Sequence, residues 1–288
     1  MKPRSGLVPL GLVFVMLASM SATAQPLRPG GGRPPVAAPA GNAEELLARA
    51  RAQSPQRVAG AERLGARAVH TADGRSFGLI WQPSNRMPGK WIVTLHGSAS
   101  WAHDEIVLWQ PFAERNGLGI LALQWWFGGG QRMEDYYPPH ELRRELEHLM
   151  RRAGAARDNA LLHGFSRGSA NLYALVAFDG QQPNPLFRAV LANAGGMAPD
   201  FPSNREIESG RLGAAPYAGT RWWLYCGSGD PNPERDGCPA MRRTRDWLAQ
   251  RGAEAQLTED AAGDHGGFHR RGQNVDQALD WFLKTRSR

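Results

Sequence analysis

The chain has 288 residues, 42% of them hydrophobic and 21% charged, enough length for one large or two small domains and a composition that excludes a disordered chain or a multi-span membrane protein. Lys and Arg number 34 against 27 Asp and Glu, a net charge of +7, and only Lys2, Lys90 and Lys284 are lysines. The densest basic runs (Arg143, Arg144, Arg151, Arg152; Arg242, Arg243, Arg245) are interleaved with Glu141, Glu145, Glu147 and Asp246, the pattern of a solvated helix face rather than of a nucleic-acid site.

At the N-terminus Lys2 and Arg4 precede an apolar run from Leu7 to Met20 and then Ser21-Ala22-Thr23-Ala24. These are the three regions of a secretory signal, with cleavage expected after Ala24. The run is short for a spanning helix and contains Pro9, so no stable membrane span is expected in the mature chain. Residues 25–41 (QPLRPGGGRPPVAAPAG) hold too few bulky apolar groups to join a core and read as a tether. Residues 42–288 are then one domain, secreted or periplasmic. In that compartment the two cysteines, Cys226 and Cys238, are a disulfide candidate.

Asn42 and Glu45 make a possible capping box for a first amphipathic helix through Leu46, Leu47 and Ala50. Arg67–Thr71 and Arg75–Trp81 flank Asp73-Gly74, a hairpin signal. Beyond Pro83–Gly89, strand-like runs alternate with helical ones: Trp91–Leu95, then Ile106, Trp109, Phe112 and Ala113; Gly119–Trp126, then Leu142, Leu146, Leu149 and Met150; Ala160–Phe165, then Ala170–Phe178. The pattern continues through Ala189–Ala194, Trp222–Cys226 and Met241–Leu248, and ends with Ala255–Thr258 and Val275–Phe282. This alternation predicts an α/β fold, a mostly parallel sheet with helices on both faces and an antiparallel N-terminal edge. Ligands of such sheets gather at the carboxyl ends of the strands. Ala170–Phe178 is apolar almost all round and should be a buried helix. The Gly-, Pro- and Ala-rich stretch from Gly196 to Arg221 has room for a small lid only.

The run Ala160-Leu161-Leu162-His163 leads into Gly164-Phe165-Ser166-Arg167-Gly168, a G-x-S-x-G opening the buried helix. The pattern alone is weak, but strand, tight turn and helix together are what a nucleophile elbow needs. Asp230 follows the next-to-last strand in Cys226-Gly227-Ser228-Gly229-Asp230, and His265 follows the last in Gly263-Asp264-His265-Gly266.

With these residues the chain resembles the α/β-hydrolase superfamily from about Arg67 to the C-terminus. The resemblance implies a Ser166, Asp230, His265 triad and an oxyanion hole made by the N–H of Arg167 and that of Ser98, after His96-Gly97. His96 would order that turn. An exported serine hydrolase of small or polymeric carboxylic esters follows, similar in pattern to secreted feruloyl-esterase and polyhydroxyalkanoate-depolymerase-like members. A peptidase or amidase with the same triad is the alternative, and a non-catalytic hydrolase-fold binding protein is a reading of another class.

Asp236 competes with Asp230 in one loop, and His269 with His265. An EF-hand reading of that loop fails on Arg235 at the glycine position and Met241 at the closing acid. His265 and His269 are separated by two glycines, which does not suit a helical metal pair, and His140-Glu141 lacks its second histidine because Arg144 stands there. No metal and no cofactor are expected; neither a P-loop nor a dinucleotide fingerprint occurs. Trp101, Trp125 and Trp126 follow strand ends, where they either line a substrate site or pack the core and rim.

Overall fold

A computed structural model describes residues 41–84, 86–127, 130 and 132–284. The expected signal peptide and nearly all of the tether lie outside these residues. Among them no helix is long and apolar enough to cross a membrane.

The first helix, α1 (Ala43–Gln53), is capped by Asn42, whose Oδ1 accepts from the Glu45 N–H at 3.0 Å. A second, α2 (Pro55–Arg63), begins on a proline, whose missing N–H costs nothing at a helix start. Strands β1 (Arg67–His70) and β2 (Phe77–Trp81) form the expected hairpin. Its loop is longer than the two residues Asp73-Gly74, because the Asp73 carboxylate gathers the Thr71 hydroxyl at 2.8 Å and the Arg75 N–H at 3.0 Å into a closed turn. Gly74 supplies the φ of +72° that this turn needs.

Then come β3 (Trp91–Leu95), α3 (Ala102–Asn116) and β4 (Gly119–Leu123). The last is shorter than the run to Trp126 predicts. Its continuation leaves the sheet to pair with a later segment: Phe127 N–H donates to Asp135 O at 2.7 Å and Tyr137 N–H to Trp125 O at 3.1 Å. The chain proceeds through α4 (Pro139–Ala153), β5 (Ala160–Phe165), α5 (Arg167–Gly180) and β6 (Ala189–Asn193). Every residue of α5 from Gly168 to Ala177 is buried, as its all-round apolar sequence requires.

Between β6 and β7 (Arg221–Gly227) there is only a 3-10 turn and the one-turn α6 (Arg205–Glu208). This stretch is tied to α5 by the Tyr217 hydroxyl donating to Tyr173 O at 2.9 Å and Gln181 Nε2 donating to Leu212 O at 2.9 Å. The chain ends with α7 (Cys238–Gln250), β8 (Glu254–Asp260), α8 (Gly267–Arg270) and α9 (Gly272–Lys284).

The strands form one sheet in the order β1-β2-β4-β3-β5-β6-β7-β8, antiparallel at β1/β2 and β2/β4 and parallel thereafter. Leu95 pairs with Gly164, Phe165 with Asn193, Asn193 with Tyr225 and Gly227 with Asp260. The carboxyl ends of β3, β5, β6, β7 and β8 therefore align along one edge. Ser166, Asp230, His265 and the turn at His96 all leave the sheet there.

Candidate active site

Ser166 stands between β5 and α5 at φ 53° and ψ −116°, a backbone conformation unfavourable for any residue with a Cβ. Close packing enforces it. A Cβ on Gly164 would lie 2.6 Å from the Gly168 carbonyl, and one on Gly168 would lie 2.3 Å from Leu95 O. The two glycines of the motif are thus what lets helix, elbow and β3 meet, and the serine hydroxyl is left at the tip.

Nε2 of His265 lies 3.0 Å from Ser166 Oγ, and Nδ1 lies 2.7 Å from Asp230 Oδ2. Because Nδ1–H donates to the carboxylate, Nε2 of the neutral ring is the atom left to accept from the serine. The Asp230 side chain is 1% exposed and that of His265 30% exposed, so the acid is sealed while the imidazole still reaches solvent. Phe165 packs on the imidazole with ring centroids 5.0 Å apart. The acid and histidine loops are stitched together by Ser228 N–H to Asp260 O and Gly229 N–H to Gly263 O, both 2.9 Å.

The other oxygen of Asp230 accepts the Asn232 N–H at 2.8 Å, while Asn232 Nδ2 donates to Asp236 at 3.2 Å. Oxygens of Asp230 and Asp236 and a ring nitrogen of His265 lie within 4.8 Å of one another. These three are spaced closely enough to share an ion, but Nδ1 and the Asp230 carboxylate already satisfy each other. Burial pushes the Asp236 carboxyl above the usual range, with His265 opposing and Asp230 adding to the push. Cys226, next to last in β7, and Cys238, opening α7, are paired with Cα atoms 5.1 Å apart, so the pair brackets this loop. A cleft of about 540 Å³ shares Asn232, Glu234 and Arg235 with it and continues along Met197, Asp200 and Trp247.

On the other side of Ser166, Gly97 approaches so closely that a Cβ there would be 3.5 Å from the Ser166 Cβ. His96 is buried, its Nδ1 bonded to Gly97 O at 2.8 Å, and burial lowers its pKa. Trp125 Nε1 donates to His96 O at 2.9 Å and Trp126 Nε1 to Ser100 O at 2.8 Å, while the Trp101 and Trp126 rings meet at 4.6 Å. All three indoles are at most 4% exposed. These contacts pack the three rings under the turn. Ser98 itself is exposed, and the N–H of Arg167, in the first turn of α5, has no intrahelical acceptor.

His269 is placed apart from this group. It is buried edge-on against Trp109 at 4.7 Å, and burial takes its pKa down to about 3, with His163 adding to the fall. Beneath the elbow, buried Glu105 meets His163 at 3.5 Å and accepts the Thr94 hydroxyl at 2.6 Å. Sequence reasoning passed over this pair, although Glu105 lies on the Trp109 and Phe112 stripe of α3, where an acid is out of place. It also passed over Tyr136, which no motif marks. The Tyr136 hydroxyl donates to Gly130 O at 2.7 Å and receives the Ala99 N–H at 3.5 Å.

No family model matches the chain, and no curated protein does. Solved structures do. TT1662 from Thermus thermophilus is 20% identical, with a TM-score of 0.56 over 77% of this chain and 99% of its own. A carboxylesterase from Mesorhizobium loti is 15% identical, with a TM-score of 0.55 over 76% and 99%. A putative dienelactone hydrolase from Klebsiella pneumoniae is 14% identical, with a TM-score of 0.57 over 76% and 98%. At this identity it is the fold that they share with the chain.

Proposed function

We propose that this chain, which has the α/β-hydrolase fold, is an exported serine hydrolase of carboxylic esters. The observation that carries the reading is the unbroken contact from Asp230 to His265 to Ser166, at 2.7 and 3.0 Å, with the serine on a positive-φ elbow. In this reading His265 takes the Ser166 proton as Oγ attacks the ester carbonyl, and Asp230 holds the imidazolium so formed. The N–H groups of Ser98 and Arg167 receive the oxyanion. His265 returns the proton to the leaving alcohol, and a water deprotonated by the same imidazole then attacks the acyl-serine, releasing the acid. Two fixed donors on the oxyanion are worth roughly 3 kcal/mol each in comparable sites. Export rests on the N-terminal pattern, and the pairing of Cys226 with Cys238 is consistent with it.

Labelling by a fluorophosphonate probe tests the reading. The wild-type protein should label and Ser166→Ala should not, with turnover of a p-nitrophenyl ester falling roughly 10⁶-fold. An unlabelled wild type would sink the serine-hydrolase reading, and equal labelling of the variant would move the nucleophile elsewhere.

A further inference from the structure

Arg167 follows Ser166 directly, and its side chain has no acidic partner among the described residues. Its guanidinium carbon lies 4.6 Å over the Tyr136 ring, and Nη1 is buried without a hydrogen-bond partner. The nearby acids are engaged elsewhere: Asp104 with Arg57 and the start of α3, Asp135 with Arg132. A guanidinium stays charged at any working pH, and this half-buried one, which meets the Tyr136 ring and turns one donor toward its hydroxyl, keeps its other donors, Nη1 among them, unused. The residue as a whole is half-buried, so part of the fork remains open to solvent beside Ser166.

Sheet order fixes which side of Ser166 this is. His265 and Asp230 reach Ser166 from the β7 and β8 side, whereas Tyr136 belongs to the segment after β4 and touches Ala99 in the turn after β3. Arg167 therefore stands across Ser166 from His265. The imidazole must protonate the leaving alcohol, so the alcohol lies toward His265 and the acyl part points away from it. Resting on the ester-hydrolase reading, we infer that Arg167 is a specificity-determining residue for the acyl group, and that the preferred substrates are monoesters of dicarboxylic acids whose free carboxylate the Arg167 fork receives beside Tyr136. A planar carboxylate matches two parallel N–H donors, which a neutral acyl chain does not.

The test compares p-nitrophenyl hemisuccinate and hemiglutarate with the neutral butyrate and valerate esters. Wild type should favour the charged acyl group in kcat/KM by on the order of ten-fold, the worth of one charge-assisted hydrogen bond. Arg167→Met should abolish that ratio, and Arg167→Lys, which keeps the charge but loses the fork, should retain part of it. Added salt should depress wild-type turnover of the charged esters more than of the neutral ones, a readout that needs no variant to fold. A wild-type ratio at or below one with no differential salt effect, or a ratio unchanged in both variants, overturns the inference while leaving the hydrolase reading intact. If the wild type neither labels with fluorophosphonate nor turns over any of the four esters, both fall together.

Discussion

Glu105 and His163 face each other at 3.5 Å with side chains 3% and 0% exposed, one on α3 and the other three residues before Ser166 on β5. The Thr94 hydroxyl links them, at 2.6 Å to the carboxylate and 2.8 Å to the ring. β3 and β5, which end at the site, and α3, which begins beside it, are thereby tied by one buried polar cluster. Removing one partner leaves the other unpaired in a place without water, so Glu105→Ala should lose about 3–5 kcal/mol in urea unfolding. Glu105→Gln keeps an acceptor for Thr94 and should lose less than half of that. Equal losses would mean that the charge, and not the acceptor kept for Thr94, carries the cluster.

Three buried groups make stability fall in acid. Burial takes His103 down to about 4 and His269 to about 3, each against an ordinary 6.5. For Glu105 burial pushes upward, but the His163 hydrogen bond and charge, with His269 and Thr94 adding to them, hold it at about 2 against 4.5. Between pH 6.5 and about 4 the unfolded chain binds more protons at the two histidines than the native one, and below 4.5 it also binds more at Glu105. Stability is therefore complete above pH 6.5 and declines steadily as pH drops. Melting temperatures from pH 8 to 4 should trace this decline, and His269→Leu, which also removes the unpartnered Nε2, should flatten it. A curve flat to pH 4 would contradict the assignment.

Asp236 places a second carboxylate beside the imidazole that already holds Asp230. The groups facing it are His265, Asp230, Arg235 and Asn232, while Asp264 in the histidine loop is occupied by Arg270. Burial disfavours the charged form of Asp236 and holds its carboxyl above the usual range, so its contribution to stability falls as pH rises through that range. Asp236→Asn, which can keep the Asn232 contact without the charge, should raise the melting temperature at pH 8 more than at pH 4. An equal change at both would mean that the Asp236 charge costs the fold nothing.

Much of this was legible in the chain, and for definable reasons. β3 and β5 match their apolar runs residue for residue because central parallel strands are buried on both faces and bounded by turn residues. That Ser166, Asp230 and His265 meet was legible because parallel topology sends the ends of β5, β7 and β8 to the same edge. The end of β4 was not: Trp125 and Trp126 continue the apolar pattern, and only the later segment Asp135–Tyr137 draws them out of the sheet. Tyr136 and the Glu105–His163 pair depend on contacts between residues far apart in sequence, which no local spacing encodes. Asp230 and Asp236 differ through which oxygen reaches Nδ1, a distinction of a few ångströms within one loop.

The Cys226–Cys238 pair closes the loop that carries Asp230, Asn232 and Asp236, and both cysteines are buried. Closing a loop of this size is worth about 3 kcal/mol in the chain-entropy account, so Cys226→Ser with Cys238→Ser should lower the melting temperature. A purely global effect would leave turnover untouched well below melting. If the pair also holds the acid in place, kcat should fall at such temperatures while KM changes little, because Asp230 acts on His265 and touches no substrate. Reduction of the wild type with a thiol should reproduce the double variant in both respects. Unchanged turnover with a lowered melting point would confine the pair to stability, and no change in either would remove it from the account of the site.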